Sequence, residues 1–230
     1  MSMLLTTQSF EETGSALVPA VLAPDECDRV ADLVQALGAA GAGTRRLLAQ
    51  PWCAALARRL RQHPVLSGWM PAGSVAVQCT FFEKSAAINW LVPVHQDLGI
   101  PVAERVDHPA LRAWSEKEGS LFVQPPADFL AQLIAVRLHL DPCTAQDGPL
   151  RVIPGTHRRG HIADEEAIAL RSRGLEVTLC AAKGDALVMR PLLLHASSKA
   201  TGTGRRRVLH FLFAPADPPH GLRWQHAVQP

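Results

Sequence analysis

From residue 73 onward, the chain consists mainly of short segments rich in β-branched and aromatic residues, separated by turns that contain proline, glycine or aspartate. Such residues favour strands, and short strands at this spacing are typical of antiparallel sandwiches and barrels. The predicted strands lie at residues 74–82, 131–140, 176–180, 186–189 and 208–213. The pattern therefore predicts an all-β barrel as the core of the molecule.

The first third of the chain shows the apolar spacing of helices. Pro24 is followed by two acidic residues, and apolar residues then recur at helical spacing up to residue 37. A proline and two acids in the first turn favour a helix start. Three glycines predict the end of this helix: Gly38, Gly41 and Gly43. A second helix is predicted from about residue 51 to residue 62.

A chain of 230 residues is expected to form one domain, because its length is close to that of ordinary single domains. We expect a mainly helical N-terminal layer over residues 1–72 and the β core over residues 73–216. Residues 101–126 show little periodicity, and a loop of that length in a compact domain is often an active-site cover. We therefore predict an active-site loop at 101–126.

Composition excludes several classes of partner. With 47% apolar and 19% charged residues the chain resembles ordinary globular proteins, and a net charge of +2 gives no reason to expect nucleic acid. No apolar stretch approaches the roughly 18 residues of a membrane span, and residues 1–10 lack the features of a secretory signal. The five cysteines form no C-x-x-C pair, which favours free thiols in a reducing compartment. We expect a cytoplasmic protein without nucleic-acid or membrane partners, while its oligomeric state is not predicted.

One pair of side chains suggests a metal site. His95 and Asp97 are two residues apart, and such residues project from the same face of an extended strand. His195, after the strand predicted at 186–189, is the best candidate for a third ligand. Two histidines and one carboxylate leave positions for a bidentate co-substrate and oxygen, as in oxygen-activating non-haem iron enzymes. The H-x-D pattern alone is weak, because it is more often a surface pair or a buried structural histidine.

A run of arginines follows the third candidate ligand. Arg206, the middle one of three, stands eleven residues after His195. An arginine that faces the metal would present a planar fork to the far carboxylate of a dicarboxylic acid. A basic hairpin end explains any one of these arginines equally well. The sequence alone leaves open which of Arg205, Arg206 and Arg207 faces the site.

Several further motifs occur in a fixed order around these residues. They are F-F-E-K at 81–84, N-W at 89–90, H-Q-D at 95–97, R-L-H-L-D at 137–141, D-G-P-L at 147–150, V-I-P-G-T-H-R-R-G at 152–160, G-D at 184–185 and H-A-S at 195–197. In this order, over residues 74–215, the chain resembles the phytanoyl-CoA dioxygenase family of Fe(II)/2-oxoglutarate-dependent oxygenases. The resemblance implies a mostly β fold with N-terminal helices and a double-stranded β-helix core, the jelly roll also found in cupins.

The resemblance also implies roles for individual residues. The implied iron ligands are His95, Asp97 and His195. Four residues are expected at the 2-oxoglutarate site: Arg206, Ser197, Lys84 and Gln96. Ala200 stands where many family members carry an asparagine, a departure that concerns substrate contacts more than the iron. His157 corresponds to a structural turn of the family and is not expected to bind metal.

The substrate-contacting residues are less firmly indicated. The candidates are Arg137, His139, Trp90 and Trp114. Arg137 and His139 share a strand face by alternation, and they either face the barrel mouth or form a buried polar network. The two tryptophans either stack on a substrate or serve in packing. We expect a small organic substrate, which would be anionic if Arg137 or Arg190 faces the cavity.

The implied reaction is hydroxylation of a C–H bond with O2, coupled to the oxidative decarboxylation of 2-oxoglutarate to succinate. The presence of Asp97 disfavours a halide-binding variant, in which a small residue replaces this carboxylate. Two alternatives remain: a metal-binding cupin-like isomerase or sensor that does not turn over 2-oxoglutarate, and a catalytically inactive scaffold. A hydrolase is not supported, because the chain has no G-x-S-x-G elbow.

Overall fold

A computed structural model describes residues 7–38 and 43–230. The first part of the N-terminal segment judged to lack a secretory signal, and Gly41 of the predicted helix stop, lie outside these described residues. Within the two described ranges, none of the helices has both the length and the apolar character that crossing a bilayer requires.

The described residues include five α-helices. Their bounds are α1 Thr7–Thr13, α2 Pro24–Ala36, α3 Pro51–Gln62, α4 Ala127–Leu130 and α5 Asp164–Ser172. Both helices predicted from the sequence are confirmed. Each begins with a proline, and α2 has two acids in its first turn while α3 has two arginines in its last turn. These charges interact favourably with the helix dipole, and Gly38, with a φ of 64°, takes the left-handed conformation that ends α2.

The strands form three antiparallel sheets. Their bounds are β1 Ser15–Val18, β2 Gly43–Thr44, β3 Val75–Lys84, β4 Val92–His95, β5 Ile100–Val102, β6 Arg112–Lys117, β7 Ser120–Gln124, β8 Ile134–His139, β9 Leu150–Val152, β10 Val177–Leu179, β11 Ala186–Met189, β12 His195–Ser197 and β13 Arg206–Ala214. The strand orders are β1-β11-β8-β13-β3-β2, β10-β9-β12-β4 and β5-β7-β6. The six-stranded and four-stranded sheets are the two halves of a jelly roll, which confirms the predicted fold class.

The six-stranded sheet is buried on both of its faces. One face packs on α2 and α3, where Val34 and Leu60 contact a cluster that includes Phe211. The opposite face contributes Leu187 to a second cluster, which also contains Val152 of the four-stranded sheet. Burial on both faces explains why β8 and β13 are apolar almost without alternation. Each fully buried leucine or phenylalanine here contributes roughly 2 kcal/mol to stability.

The layer expected to be mainly helical contains α1, α2 and α3, and it also supplies β1, which pairs with β11, and β2, which pairs with β3. The structure corrects two sequence-based expectations. The strand predicted at 131–140 begins at Ile134, after α4 and a turn. Residues 101–126 are not a loop, since they contain β6 and β7. The outer strand β6 is largely exposed and its pairing has a register shift, so no apolar alternation marks it.

The chain after β13 returns to the three-stranded sheet. Val102 of β5 forms a β-bridge with Trp224, and the Ala103 N–H donates to the Arg223 carbonyl over 2.8 Å. The Trp224 ring stacks on Phe129 of α4 with 6.2 Å between ring centroids. The three-stranded sheet is therefore held in place by the C-terminal segment.

Candidate active site

Two neighbouring strands bring the three predicted metal ligands together. His95 ends β4, Asp97 follows it, and His195 begins β12, where it is the register partner of His95. The ligand atoms of His95, Asp97 and His195 all lie within 4.8 Å of one another. The Nε2 atom of each imidazole is 3.7 Å from a carboxylate oxygen of Asp97. The expected cluster of two imidazoles and one carboxylate is present.

The other ring nitrogens determine which tautomer each ligand takes. His95 Nδ1 is 2.9 Å from the Pro93 carbonyl, and His195 Nδ1 is 2.9 Å from the Leu193 carbonyl. A carbonyl oxygen only accepts, so Nδ1 carries the proton in both rings. Each Nε2 lone pair is then directed toward Asp97 and the space between the ligands. This orientation is the one that metal-binding histidines adopt, and the donor set fits iron(II).

Burial and the neighbouring rings set the charges in the cluster. Burial alone would raise the pKa of Asp97, but His195, His95 and His210 hold this pKa well below its usual range. Burial lowers the pKa of His195 to about 4, so this ring is neutral near pH 7. The pKa of His95 is raised, because burial is outweighed by its interaction with Asp97. The cluster thus presents one ionised carboxylate to a cation.

A third imidazole, missed from the sequence, lies beside the same carboxylate. His210 Nε2 is 3.8 Å from Asp97, and His210 Nδ1 is 3.1 Å from Arg137 Nη1. A guanidinium only donates, so Nδ1 accepts and Nε2 carries the proton of the neutral ring. Burial lowers the pKa of His210 to about 3, with Arg137 acting in the same direction. Alternation along β13 from Arg206 is the sequence signal that could have identified His210.

Two buried cations lie deeper in the barrel. Arg206 on β13 is the register partner of Lys84 on β3, and the two residues are 3% and 1% exposed. Lys84 Nζ donates to the Ser197 hydroxyl and, over 2.6 Å, to the Ser198 carbonyl. Arg206 Nη1 donates to the Gly148 carbonyl, while its Nε has no partner within the described ranges. Burial lowers the pKa of Lys84 to about 8 and also lowers that of Arg206.

These two cations fit an anionic ligand. Buried charges are unfavourable unless they are paired. Among the residues that the structure describes, neither Lys84 nor Arg206 forms an ion pair with a carboxylate. The adjacent arginines do: Arg205 binds Glu83 and Arg207 binds Asp141, both outside the barrel. The pairing of Arg206 with Lys84, together with these two ion pairs, identifies Arg206 as the arginine that faces the site.

Gln96 lines the main cavity, and its amide group is also bound within the protein. Its amide nitrogen donates to the carbonyls of Gly160 and Leu192, over 2.8 and 2.6 Å. Its amide oxygen accepts from the Ile162 N–H over 2.9 Å. These bonds fix the segment between His95 and Asp97, and a contact of Gln96 with 2-oxoglutarate stays a prediction.

The four predicted substrate residues divide into two groups. Arg137, Trp90 and Trp114 line the main cavity, whereas His139 does not. The His139 ring is buried, and burial lowers its pKa to about 3, with Arg137 as the next cause. The Trp90 indole N–H donates to the Glu83 carbonyl over 2.9 Å. His139 belongs to the buried polar interior, which corrects its assignment to the substrate site.

Two other residues considered from the sequence lie outside the cavity. His157 Nε2 is 3.2 Å from the Glu11 carbonyl, as expected of a turn histidine. Arg190 forms an ion pair with Glu11 and donates to the Ala131 carbonyl. Of the two arginines that would favour an anionic substrate, only Arg137 faces the cavity.

The cavity beside the ligands has a volume of about 780 Å³. This volume is within the range of small-molecule sites, about 300–1,000 Å³. The metal ligands, Ser197 and Arg206 line it. Trp114 and Phe122, from the three-stranded sheet, line it as well. Residues predicted as a loop thus form a wall of the cavity as a sheet.

A jelly roll that carries two histidines and an aspartate at a cavity, with buried cations behind them, defines the class of non-haem iron oxygenases that use 2-oxoglutarate. The sequence model of the Phytanoyl-CoA dioxygenase (PhyH) family matches residues 10–208, and this chain belongs to that family. The match covers all three candidate metal ligands and Arg206. No curated protein matches the chain at a significant level.

Several solved structures have a similar fold. EctD from S. alaskensis, in its apoform, has a TM-score of 0.66 at 16% identity, over 96% of this chain and 84% of EctD. HygX from Streptomyces hygroscopicus, with nickel and 2-oxoglutarate bound, has a TM-score of 0.62 at 15% identity, over 92% of this chain and 87% of HygX. SnoK, a non-heme alpha ketoglutarate dependent carbocyclase from nogalamycin biosynthesis, has a TM-score of 0.63 at 14% identity, over 93% of this chain and 86% of SnoK.

Proposed function

We propose that this protein is an Fe(II)/2-oxoglutarate-dependent dioxygenase that hydroxylates a C–H bond of a small organic molecule. The observation that carries the proposal is the convergence of His95, Asp97 and His195 within 4.8 Å at a cavity whose buried cations have no acidic partner among the described residues. Family membership supports the general reaction type. The structures of HygX, with iron or with nickel and 2-oxoglutarate, support the cofactor pair.

When bound, iron and 2-oxoglutarate supply the oxidising power, and 2-oxoglutarate is decarboxylated to succinate as oxygen from O2 is transferred. His95, Asp97 and His195 would hold the iron, and a set of only three protein ligands would leave room for the co-substrate and oxygen. The Nδ1–H bonds of His95 and His195 keep both Nε2 lone pairs directed at the metal. The His210 Nε2–H faces Asp97 and stabilises the ionised form of this ligand.

Arg206, Lys84 and Ser197 hold the far carboxylate of 2-oxoglutarate in this proposal. Charge-assisted hydrogen bonds from buried cations are among the stronger polar interactions in proteins. An anion at this position also favours the protonated form of Lys84, whose pKa is otherwise lowered to about 8. Ser197 links Lys84 to the Gly148 backbone, because its hydroxyl accepts from Lys84 and donates to the Gly148 carbonyl over 3.1 Å.

In this proposal a bound substrate, together with the aromatic walls of the cavity, would keep water away from the reacting atoms. Trp90 and Phe82 line one side, and Trp114 and Phe122 of the three-stranded sheet line another. Exclusion of bulk water strengthens the electrostatic contacts inside the cavity. It also protects a reactive oxidant from side reactions.

Two neighbours favour a second candidate outcome. SnoK is described as a carbocyclase, and SnoN, from the same biosynthesis, as a non-heme alpha ketoglutarate dependent epimerase. Product mass separates the outcomes: hydroxylation adds one oxygen atom, ring closure removes two hydrogen atoms and epimerisation leaves the mass unchanged. We propose hydroxylation, because the transfer of an oxygen atom to a C–H bond requires no catalytic group besides the one oxidising centre in this cavity.

The function is tested by measuring succinate release from 2-oxoglutarate, with iron(II) and ascorbate, across a panel of small metabolites. We expect substrate-stimulated release by the wild type and none by His195→Ala, with the exposed His161→Ala as the matched control. Iron binding without binding of 2-oxoglutarate would instead indicate a cupin-like isomerase or sensor. Failure to retain iron under anaerobic conditions would indicate an inactive scaffold.

A further inference from the structure

The cavity carries more positive charge than iron and 2-oxoglutarate can neutralise. Within the described ranges, Asp97 is the only carboxylate that lines it. Three buried cations face or adjoin it: Lys84, Arg137 and Arg206. Iron(II) and the 2-oxoglutarate dianion have equal and opposite charges, so their joint binding leaves this excess unchanged. Because buried charge is unfavourable without a partner, the excess indicates a further anionic ligand.

Among the three buried cations, Arg137 is the one that remains available for such a ligand; the other two cations that line the cavity, Arg45 and Lys117, are not buried. Arg137 is 7% exposed and lines the cavity, and no ion pair of its guanidinium is found in the described part of the chain. Its Nη1 donates to His210, but its buried Nε has no hydrogen-bond partner among the described residues. One edge of the guanidinium is thus unused, and such an edge binds a carboxylate through two parallel hydrogen bonds.

The strand register separates Arg137 from the 2-oxoglutarate end of the cavity. Arg206 pairs with Lys84, whereas Arg137 pairs with His210, four residues further along β13. Four residues of a strand correspond to about 13 Å between Cα atoms. His210 is also the imidazole that lies beside Asp97. Arg137 is therefore placed at the level of the metal ligands, away from the pair that faces the far carboxylate of the co-substrate.

The walls near Arg137 are apolar and aromatic. The Phe82 ring lies 5.6 Å from the Arg137 guanidinium carbon. Trp90, Trp114 and Phe122 continue this surface around the cavity. A ligand that pairs with the Arg137 guanidinium and packs against these apolar walls has one anionic group and an apolar body.

We propose that the substrate is an organic carboxylate with an apolar body, and that Arg137, positioned by His210, binds its carboxylate. This inference rests on the proposed function, because it takes 2-oxoglutarate to occupy the Arg206 end. A carboxylate fits the single free guanidinium edge, since it accepts two hydrogen bonds in one plane. Arg137 would thereby select acids over their neutral analogues.

The experiment compares a matched pair of probes, 3-phenylpropanoate and its primary amide. Binding is measured by calorimetry with the protein saturated with nickel(II) and 2-oxoglutarate, so that no turnover occurs and the Arg206 end is filled. We expect the acid to bind the wild type about tenfold more tightly than the amide, and Arg137→Gln to remove this preference. Arg190→Gln, which changes an arginine outside the cavity, serves as the control and should keep the preference.

Three results would overturn the proposal: equal binding of acid and amide to the wild type, binding of neither, or an unchanged acid preference in Arg137→Gln. If Arg137→Gln instead weakens 2-oxoglutarate binding, Arg137 is a co-substrate residue and the proposal fails. Because a buried arginine can be needed for folding, Arg137→Lys is measured as well, and we expect it to lower acid affinity without changing amide affinity.

The visible charge-transfer absorption of anaerobic protein with iron(II) and 2-oxoglutarate is recorded separately. Absence of this absorption refutes the proposed function itself. Its presence without a preference for the acid refutes only the role of Arg137.

Discussion

Proton positions on single side chains decide what the metal centre can bind. The carbonyls of Pro93 and Leu193 accept the Nδ1 protons of the two ligand histidines, so both Nε2 atoms are free for a metal. Arg137 imposes the opposite tautomer on His210, whose proton then faces Asp97. The three imidazoles around Asp97 therefore have two different functions. His95 and His195 can bind a metal through Nε2, whereas His210 directs its Nε2–H at Asp97, because the Nδ1 atoms have different partners.

At the same scale, two neighbouring arginines should differ sharply. Arg206→Gln removes a buried cation from the co-substrate site, and we expect it to raise the KM for 2-oxoglutarate by about tenfold to a hundredfold, the value of a charged hydrogen bond. Arg205→Gln removes only an exposed ion pair with Glu83 and should leave this KM nearly unchanged. Succinate release as a function of 2-oxoglutarate concentration measures both. Similar KM values for the two variants would contradict the assignment.

At the scale of elements, strand pairing shows which residues of different strands lie together, and alternation along one strand cannot show this. Alternation predicted that His95 and Asp97 share a face of the strand. It left open which of the three arginines faces the site, because the acidic partners of Arg205 and Arg207, which are Glu83 and Asp141, come from other parts of the chain. Alternation from Arg206 puts His210 on the same face of β13, but its place beside Asp97 also depends on how β13 lies relative to β4 and β12. The exposed strand β6 was missed because solvent contact removes the apolar alternation on which the prediction relied.

The turn before β11 contains Gly184, and a substitution at this glycine is predicted to lower stability. Gly184 has a φ of 88°, and a Cβ there would lie 2.1 Å from the Leu22 carbonyl oxygen. We expect Gly184→Ala to lower the free energy of unfolding by about 3 kcal/mol or more, through backbone strain and steric overlap. Gly174, with a φ of 73°, is the matched control, because an added Cβ there would meet no atom within 4 Å.

Gly174→Ala has the same kind of backbone strain without the overlap, so it should cost only about 1 kcal/mol. Urea unfolding of both variants measures the difference. Equal losses of stability would show that the approach of Leu22 to this turn has no energetic consequence.

At the scale of the whole molecule, ligand binding and folding are linked. In the proposed function, iron and 2-oxoglutarate would bind residues from or next to β3, β4, β12 and β13, which belong to both sheets of the jelly roll. A ligand at a hundredfold excess over its Kd stabilises the folded state by about 2.7 kcal/mol, or roughly 5–10 °C in Tm for a chain of this size. We expect such a rise for the wild type under anaerobic conditions and its reversal by a chelator.

The corresponding control is His195→Ala, which should show little of this rise because one of three ligands is missing. Thermal unfolding with and without iron(II) and 2-oxoglutarate measures the effect. A shift of equal size in the variant would place the metal elsewhere.

The sheet formed by β5, β6 and β7 contributes to the cavity but carries none of the metal ligands. It is joined to the C-terminal segment through Val102, Trp224 and Ala103, and Ile100, Val102 and Val123 pack in the same apolar cluster as Val152 of the jelly roll. Trp114 and Phe122 of this sheet line the cavity without belonging to the ligand set. In the proposed function, a substitution at either aromatic residue would change the shape of the cavity while keeping all three metal-binding side chains.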